Sequence, residues 1–122
     1  MESVNPKISV EYAGQATIVT FTEEKILEDK DIQSLEKSLM GVIEQSKDLN
    51  LVLDFSNVKF LSSAVLGLLI KLSKRIYERD GWLRLCSISP KIYEIFRITR
   101  LTKIFDIYED IKSATEDLSK AD

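Results

Sequence analysis

The sequence predicts an α/β domain. A mixed, mostly parallel β-sheet is flanked by helices, about four of them, in the order β-β-α-β-α-β-α-β-α. Three observations carry this. Residues 8–21 alternate apolar and polar side chains. "LNLVLDFSNV" (49–58) is a short apolar run bounded by polar residues. Residues 32–43 and 64–79 repeat apolar side chains at spacings of three and four. Alternation fits a half-exposed strand, the short run a buried strand, and the three-four spacing one face of a helix. Strands alternating with helices imply right-handed crossovers and parallel pairing.

The elements follow in order. "KISVEYAGQATIVTFT" reads as two antiparallel strands joined by a tight turn at Ala13-Gly14-Gln15. Ile8, Val10 and Tyr12 share one face of the first strand. In the second, the inward set is Ile18 and Thr20, or Val19 and Phe21. "EEKILEDKD" is charged and loop-like, with Ile26 and Leu27 as its anchors. Ile32, Leu35, Leu39, Val42 and Ile43 line one face of the first helix, and Asp29 or Asp31 is its candidate cap. The 49–58 run is a buried strand of the parallel part. Ala64 to Arg79 is the clearest helix. Val65, Leu68, Leu69, Leu72 and Ile76 are its dry face; Lys71, Lys74, Arg75 and Glu78 are its wet one. Asp80-Gly81 ends it. "WLRLCSI" is the next strand. Ser89 caps a short helix with Pro90 at its first position, where the missing N–H costs nothing. Ile92, Ile95 and Phe96 form that helix's buried side. "KIFDIY" is the last strand, and Ile111, Ala114 and Leu118 face inward from a closing helix.

Composition excludes several function classes. A chain of 122 residues with 44% hydrophobic residues builds one domain, taken as residues 1–122. Its net charge of −3 gives no bulk attraction to nucleic acid or an anionic membrane. No apolar run approaches the roughly 20 residues that span a bilayer. "MESVNPKISV" lacks the charged start and apolar stretch of a secretion signal. The single Cys86 fits a reducing cytoplasm, the expected location. With no histidine, neither Ser-His-Asp nor Cys-His machinery can be built, and a zinc site is not expected. The four glycines, at 14, 41, 67 and 81, assemble no phosphate-binding loop. The expectation is a protein that is no enzyme and carries no cofactor or metal.

The chemistry concentrates at "KFLSSAVLGLLIKLSK" (59–74), where a strand gives way to a helix at Ser62-Ser63. One reading is capping: a serine hydroxyl satisfies a free N–H and is worth about 1 kcal/mol. The other is a switch. A hydroxyl held at a helix N-terminus is exposed where anionic charge is tolerated, which suits phosphorylation. Both readings stand together. The helix's apolar arc is also wider than one core contact needs. Leu66, Ile70 and Tyr77 flank the lysine face and, if exposed, make a docking surface that phosphate would spoil.

Three segments resemble the STAS domain of bacterial anti-sigma factor antagonists, over about Ile8 to Leu118. They are the buried strand leading to Phe60-Leu61-Ser62-Ser63, the strand "LRLCSISP", and "IYEIFRITRLTKIFDIYED". The family motif is Asp-Ser-Ser/Thr-Gly, with phosphate on the serine after the aspartate. Here Ser62 takes the aspartate position, Ser63 the phosphoserine position, Ala64 the second hydroxyl and Val65 the glycine, while Gly67 matches a glycine farther along. Loss of the aspartate leaves Ser62 as the alternative acceptor. Glu28 or Asp29 stands in for the family's aspartate after the second strand.

The resemblance implies a single STAS domain acting as a regulatory binding module. Unphosphorylated, it would bind an anti-sigma factor, typically also a serine kinase with a GHKL-type ATP site, and free a sigma factor. ATP would belong to the partner. Ser62, Ser63, Ala64, Leu66, Gly67, Ile70, Lys71, Lys74 and Tyr77 are the expected partner surface. A serine phosphatase and a homodimer are further expected partners; nucleic acid and membrane insertion are not expected. Two alternatives stay open. One is a structural STAS subunit, in a signalling assembly or beside a membrane lipid transporter. The other is a small-ligand binder or an unrecognised enzyme.

Overall fold

A hairpin opens the fold: β1 (Ile8–Ala13) and β2 (Ala16–Phe21) run antiparallel, with Ile8 opposite Phe21 and Ala13 opposite Ala16. Gly14 sits in the turn at φ +63°, a left-handed conformation that costs glycine little. The computed structural model describes residues 8–45 and 49–119, the last two by backbone alone. After the hairpin come β3 (Lys25–Ile26), α1 (Asp29–Glu44), β4 (Asn50–Asp54) and β5 (Phe60–Leu61). Then follow α2 (Ser63–Glu78), β6 (Trp82–Cys86), α3 (Pro90–Ile98), a 3-10 turn at Leu101–Lys103, β7 (Asp106–Tyr108) and α4 (Ile111–Ser119).

The main sheet has the order β1-β2-β4-β6-β7, parallel except for its first pair. β3 and β5 pair in a separate two-stranded parallel sheet. Both faces of the main sheet are covered. On one, Val19, Phe21, Leu51, Leu53, Leu83 and Leu85 pack with residues of α1, α2 and α3. On the other, Ile18, Val52 and Cys86 meet Ala114 of α4. The choice left open for β2 therefore dissolves: Ile18, Val19 and Phe21 are all buried, because this strand lies between neighbours and under helices on both sides. The five dry-face residues of α2 are likewise all buried.

Several expectations need correction. Ile8, Val10 and Tyr12 do share one face of β1, yet only Ile8 is buried there, since β1 is an edge strand. Ile26 anchors its loop but Leu27 is exposed. Val42 is only partly buried against the core. Glu28, not Asp29 or Asp31, is the N-cap of α1, by backbone geometry and without a side-chain bond. Asp29 and Asp31 instead place charge in the first turn, where the dipole favours it. Ile95 faces outward while Ile92 and Phe96 are buried. Residues 101–103 form the 3-10 turn, so the last strand begins only at Asp106. The side chain of Leu118 lies outside the described residues.

Polar contacts finish the frame. Ser89 caps α3, its Oγ accepting from the Ile92 N–H at 3.3 Å, with Pro90 at the first position. Glu36 of α1 pairs with Lys71 of α2, and Glu44 with Arg75 at 2.7 Å. The Arg75 guanidinium holds the Glu44 carboxyl below its usual range. Arg84 of β6 stacks over Trp82 at 4.1 Å and Tyr108 at 5.1 Å. It also donates to both Asp117 oxygens at 2.7 and 2.8 Å, latching α4 to the second face.

Two predictions follow from close contacts. Asp80, not Gly81, takes the left-handed conformation after α2, at φ +65°. Gly81 is needed for proximity: a Cβ there would lie 2.3 Å from the Leu49 carbonyl oxygen. Gly81→Ala therefore lowers stability by about 1–3 kcal/mol, read in a denaturant melt. At the start of α4, Asp110 Oδ1 accepts from the Ser113 N–H at 2.8 Å, and the Asp110 N–H donates to Ser113 Oγ at 3.2 Å. The Ser113 N–H, and then its hydroxyl, hold the Asp110 carboxyl below its usual value. A depressed folded pKa adds stability above the unfolded pKa, and that stability is lost as pH falls through the folded one. The melting-temperature gap between wild type and Asp110→Ala therefore closes as pH is lowered from about 5 to about 3.

Candidate partner-binding and phosphoacceptor site

The site begins at the buried end of β4. Asp54 is 5% exposed. Its carboxylate accepts from the Ser56 N–H and hydroxyl, both at 3.1 Å, and from the Thr20 hydroxyl at 3.3 Å. Asn57 Nδ2 donates to the Phe21 carbonyl at 3.0 Å, tying the turn to the end of β2. The chain then runs beside residues 24–26. The Glu24 carbonyl accepts from the Lys59 and Phe60 N–H groups at 2.8 and 3.0 Å, and the Ile26 carbonyl from the Ser62 N–H at 3.0 Å. Seven backbone and side-chain hydrogen bonds thus deliver the chain to the start of α2 in one orientation.

Ser62 is the N-cap residue of α2 by backbone, at φ −89° and ψ 164°. Its carbonyl accepts from the Val65 N–H at 3.0 Å. Its hydroxyl does not cap: Oγ is buried and has no hydrogen-bond partner. Ser63 is the first helical residue and is exposed, as is Ala64. No acidic residue occupies the first turn of α2, so the dipole's positive end is uncompensated there. The result is one exposed primary hydroxyl where added negative charge is tolerated. The only thiol behaves otherwise: burial pushes Cys86 up to about 11, which keeps it protonated.

The expected partner surface divides. At about 100° per residue, Ser63, Gly67, Ile70 and Lys74 share one stripe of α2. Gly67 is exposed and has open space where a Cβ would lie. Ile70 is half-buried against the core. Lys74 is exposed, whereas Lys71 is held by Glu36. Leu66 is only 7% exposed and belongs to the domain's own core, so it offers a partner little. Tyr77 is exposed but lies fourteen residues beyond Ser63, about 21 Å along the helix, and cannot share a small patch with it.

A feature not read from the sequence lies beside this stripe. Leu27, Phe60, Leu61, Ile92 and Ile95 line an open cavity of about 270 Å³, with Lys59 and Lys91 among its walls. Phe60 is 41% exposed, with the ammonium groups of Lys25 and Lys91 5.7 and 4.6 Å from its ring centroid. The signal in the sequence was faint: a pair of apolar residues beside a lysine in each of two short segments, "KILED" and "KFLSS".

A family model described as the STAS domain matches residues 7–114. The anti-sigma F factor antagonist of Paenibacillus polymyxa is 24% identical over 115 residues, spanning 94% of this chain and 97% of that protein. The anti-sigma-B factor antagonist of Bacillus subtilis is 32% identical over 73 residues, spanning 60% and 65%. The solved structure of a STAS domain protein from Planctomyces limnophilus shares the fold at a TM-score of 0.83, with 22% identity over 92% of this chain and 97% of that one.

The two serines have different surroundings, and neither hydroxyl holds the helix end. A capping serine loses about 1 kcal/mol on change to alanine. Ser62→Ala removes a buried, unpartnered hydroxyl instead, so it leaves stability within about 0.5 kcal/mol of wild type or raises it. Ser63→Ala at the first helical position is likewise near neutral, which corrects the capping reading of the serine pair. A urea melt of each variant measures this. A loss near 1 kcal/mol for Ser62→Ala would mean that its hydroxyl caps the helix in solution.

Proposed function

This chain belongs to the STAS domain family, and on that premise we propose that it is an anti-sigma factor antagonist switched by phosphorylation at Ser63. The observation that carries the choice of residue is the contrast within the serine pair. Ser63 is exposed at the head of α2, while the Ser62 hydroxyl is buried. A kinase can reach the first and not the second.

Unphosphorylated, the stripe of Ser63, Gly67, Ile70 and Lys74, with Ala64 beside it, docks on an anti-sigma factor, which lets go of its sigma factor. The partner doubles as a serine kinase with a GHKL-type site and supplies ATP. The γ-phosphoryl group passes to Ser63 Oγ, ADP leaves, and the hydroxyl proton is released. A serine phosphatase reverses the change by hydrolysis. The protein itself is a binding module working in the cytoplasm, where transcription is controlled, and it contributes an acceptor rather than catalysis.

The energetics are adequate. A standard interface buries roughly 800 Å² per partner. Phosphate adds about −1.5 to −2 charges at pH 7. Placed in a contact that must be dehydrated, such charge costs several kcal/mol, about a decade of affinity for each 1.4 kcal/mol. The helix end meanwhile tolerates the phosphate, so the fold survives the change that breaks the complex.

The test is a titration of the cognate anti-sigma factor with wild type, Ser63→Ala, Ser63→Glu, Ser62→Ala and authentic phosphoprotein. Ser63→Ala binds like wild type but takes up no phosphate. The phosphoprotein binds at least about tenfold more weakly, and Ser63→Glu shifts in the same direction. Ser62→Ala is phosphorylated normally. Equal affinity of phosphorylated and unphosphorylated protein would end the switch reading, and loss of phosphate uptake in Ser62→Ala would move the acceptor by one residue.

A further inference from the structure

We propose that the cavity beside Phe60 is a second docking point, which takes an apolar side chain from an acidic segment of the partner protein. The inference rests on the binding-module reading above and adds the partner's chemistry. It starts from the pairing of β3 with β5. Ile26 lies opposite Leu61, and Lys25 opposite Phe60. The first pair turns inward: Ile26 is buried and Leu61 packs against the core. The second pair faces solvent. Folding this strap needs Ile26 and Leu61 inside, but it does not need a phenylalanine outside.

That outward Phe60 is joined by two more apolar residues from distant parts of the chain. Leu27 is 48% exposed and Ile95 is 36% exposed. Together with Leu61 and Ile92 they form a concavity of about 270 Å³. This is just under the roughly 300–1,000 Å³ of small-molecule sites, and it suits one or two anchoring side chains. A concave site of this size also fits a protruding residue better than a flat membrane surface.

The rim selects the sign of the partner. The chain carries a net charge of −3, yet Lys25, Lys59 and Lys91 gather here. Lys59 faces Glu24 at 3.8 Å. Lys25 and Lys91 have no ion pair among the described residues and lie against the Phe60 ring instead. An apolar anchor flanked by carboxylates satisfies both parts of the site. The arrangement also deepens the switch. Phe60 and Leu61 immediately precede the serine pair, so phosphate on Ser63 brings negative charge close to the acidic segment the lysines attract.

The test uses the full chain, ¹⁵N-labelled and unphosphorylated, with no anti-sigma factor present. The probe is a short synthetic peptide with one phenylalanine and one leucine flanked by glutamates. Its twin has lysines in place of the glutamates. The acidic peptide shifts the amide resonances of Leu27, Phe60, Leu61 and Ile95, and added salt weakens it. Phe60→Ala and Lys91→Glu, each checked for an unchanged melt, weaken it at least about tenfold. Equal binding of the lysine twin, or shifts confined to other surfaces, overturns the proposal. So does binding of phosphatidylglycerol vesicles with the same dependence on Phe60 and Lys91, because the occupant would then be a lipid surface. Failure of the peptide leaves the Ser63 titrations untouched, and failure of those titrations leaves the peptide result standing.

Discussion

The hydrogen bonds between residues 21–26 and residues 54–62 are the constraint on which the functional surface depends. A helix N-terminus is useful only if the residues before it are held. Here the Glu24 and Ile26 carbonyls accept from the chain entering α2, and Asn57 ties the preceding turn to β2. Asp54 locks the start of that turn from inside the fold. These are backbone donors and acceptors that would otherwise be buried unpaired or left to water. Satisfying them also fixes the direction in which Ser62 and Ser63 point. The hairpin, the strap and α2 are consequently one structural unit, although their residues are separated by some forty positions in the chain.

Burial on both sheet faces sets how much of this was legible. The dry face of α2, the β4 strand and the Ser89-Pro90 start of α3 were readable because each is governed by local spacing or a local cap. β1 alternates as its sequence reads, but how far its face is covered follows from its place at the edge, and only topology decides which strand has helices over it. Ile95 was misplaced for a related reason. It continues the apolar pattern of α3, yet the core is filled by Ile92 and Phe96. Its neighbours in space, Leu27 and Phe60, come from segments that carry no shared periodicity.

The candidate site's place in the fold was legible, but the direction of its side chains was not. That a strand hands over to a helix at Ser62-Ser63 follows from the patterns on either side. Which hydroxyl faces solvent does not, because it depends on side-chain direction within the strap-to-helix turn. Leu66 shows the same limit. It lies on the margin of the apolar arc of α2, and packing in this fold draws it inside. The lysine and phenylalanine cluster was invisible in one dimension, since its parts become adjacent only through the pairing of β3 with β5 and the approach of α3.

The latch between Arg84 and α4 has a consequence for the order in which the molecule comes apart. The first face of the sheet carries the large core, whereas the second holds, among the described residues, only Ala16, Ile18, Val52, Cys86 and Ala114 as buried members of its apolar cluster. There, α4 is retained by a guanidinium stacked on two rings and bonded to Asp117 and the Ala114 carbonyl. Ties of that kind open without dismantling the larger core, so α4 is the natural first unit to detach in partial opening. The turn bearing Ser63 belongs to the opposite layer. Fluctuations of the C-terminal helix therefore leave the serine's presentation intact, and the proposed recognition surface inherits the lifetime of the whole fold rather than that of its loosest part.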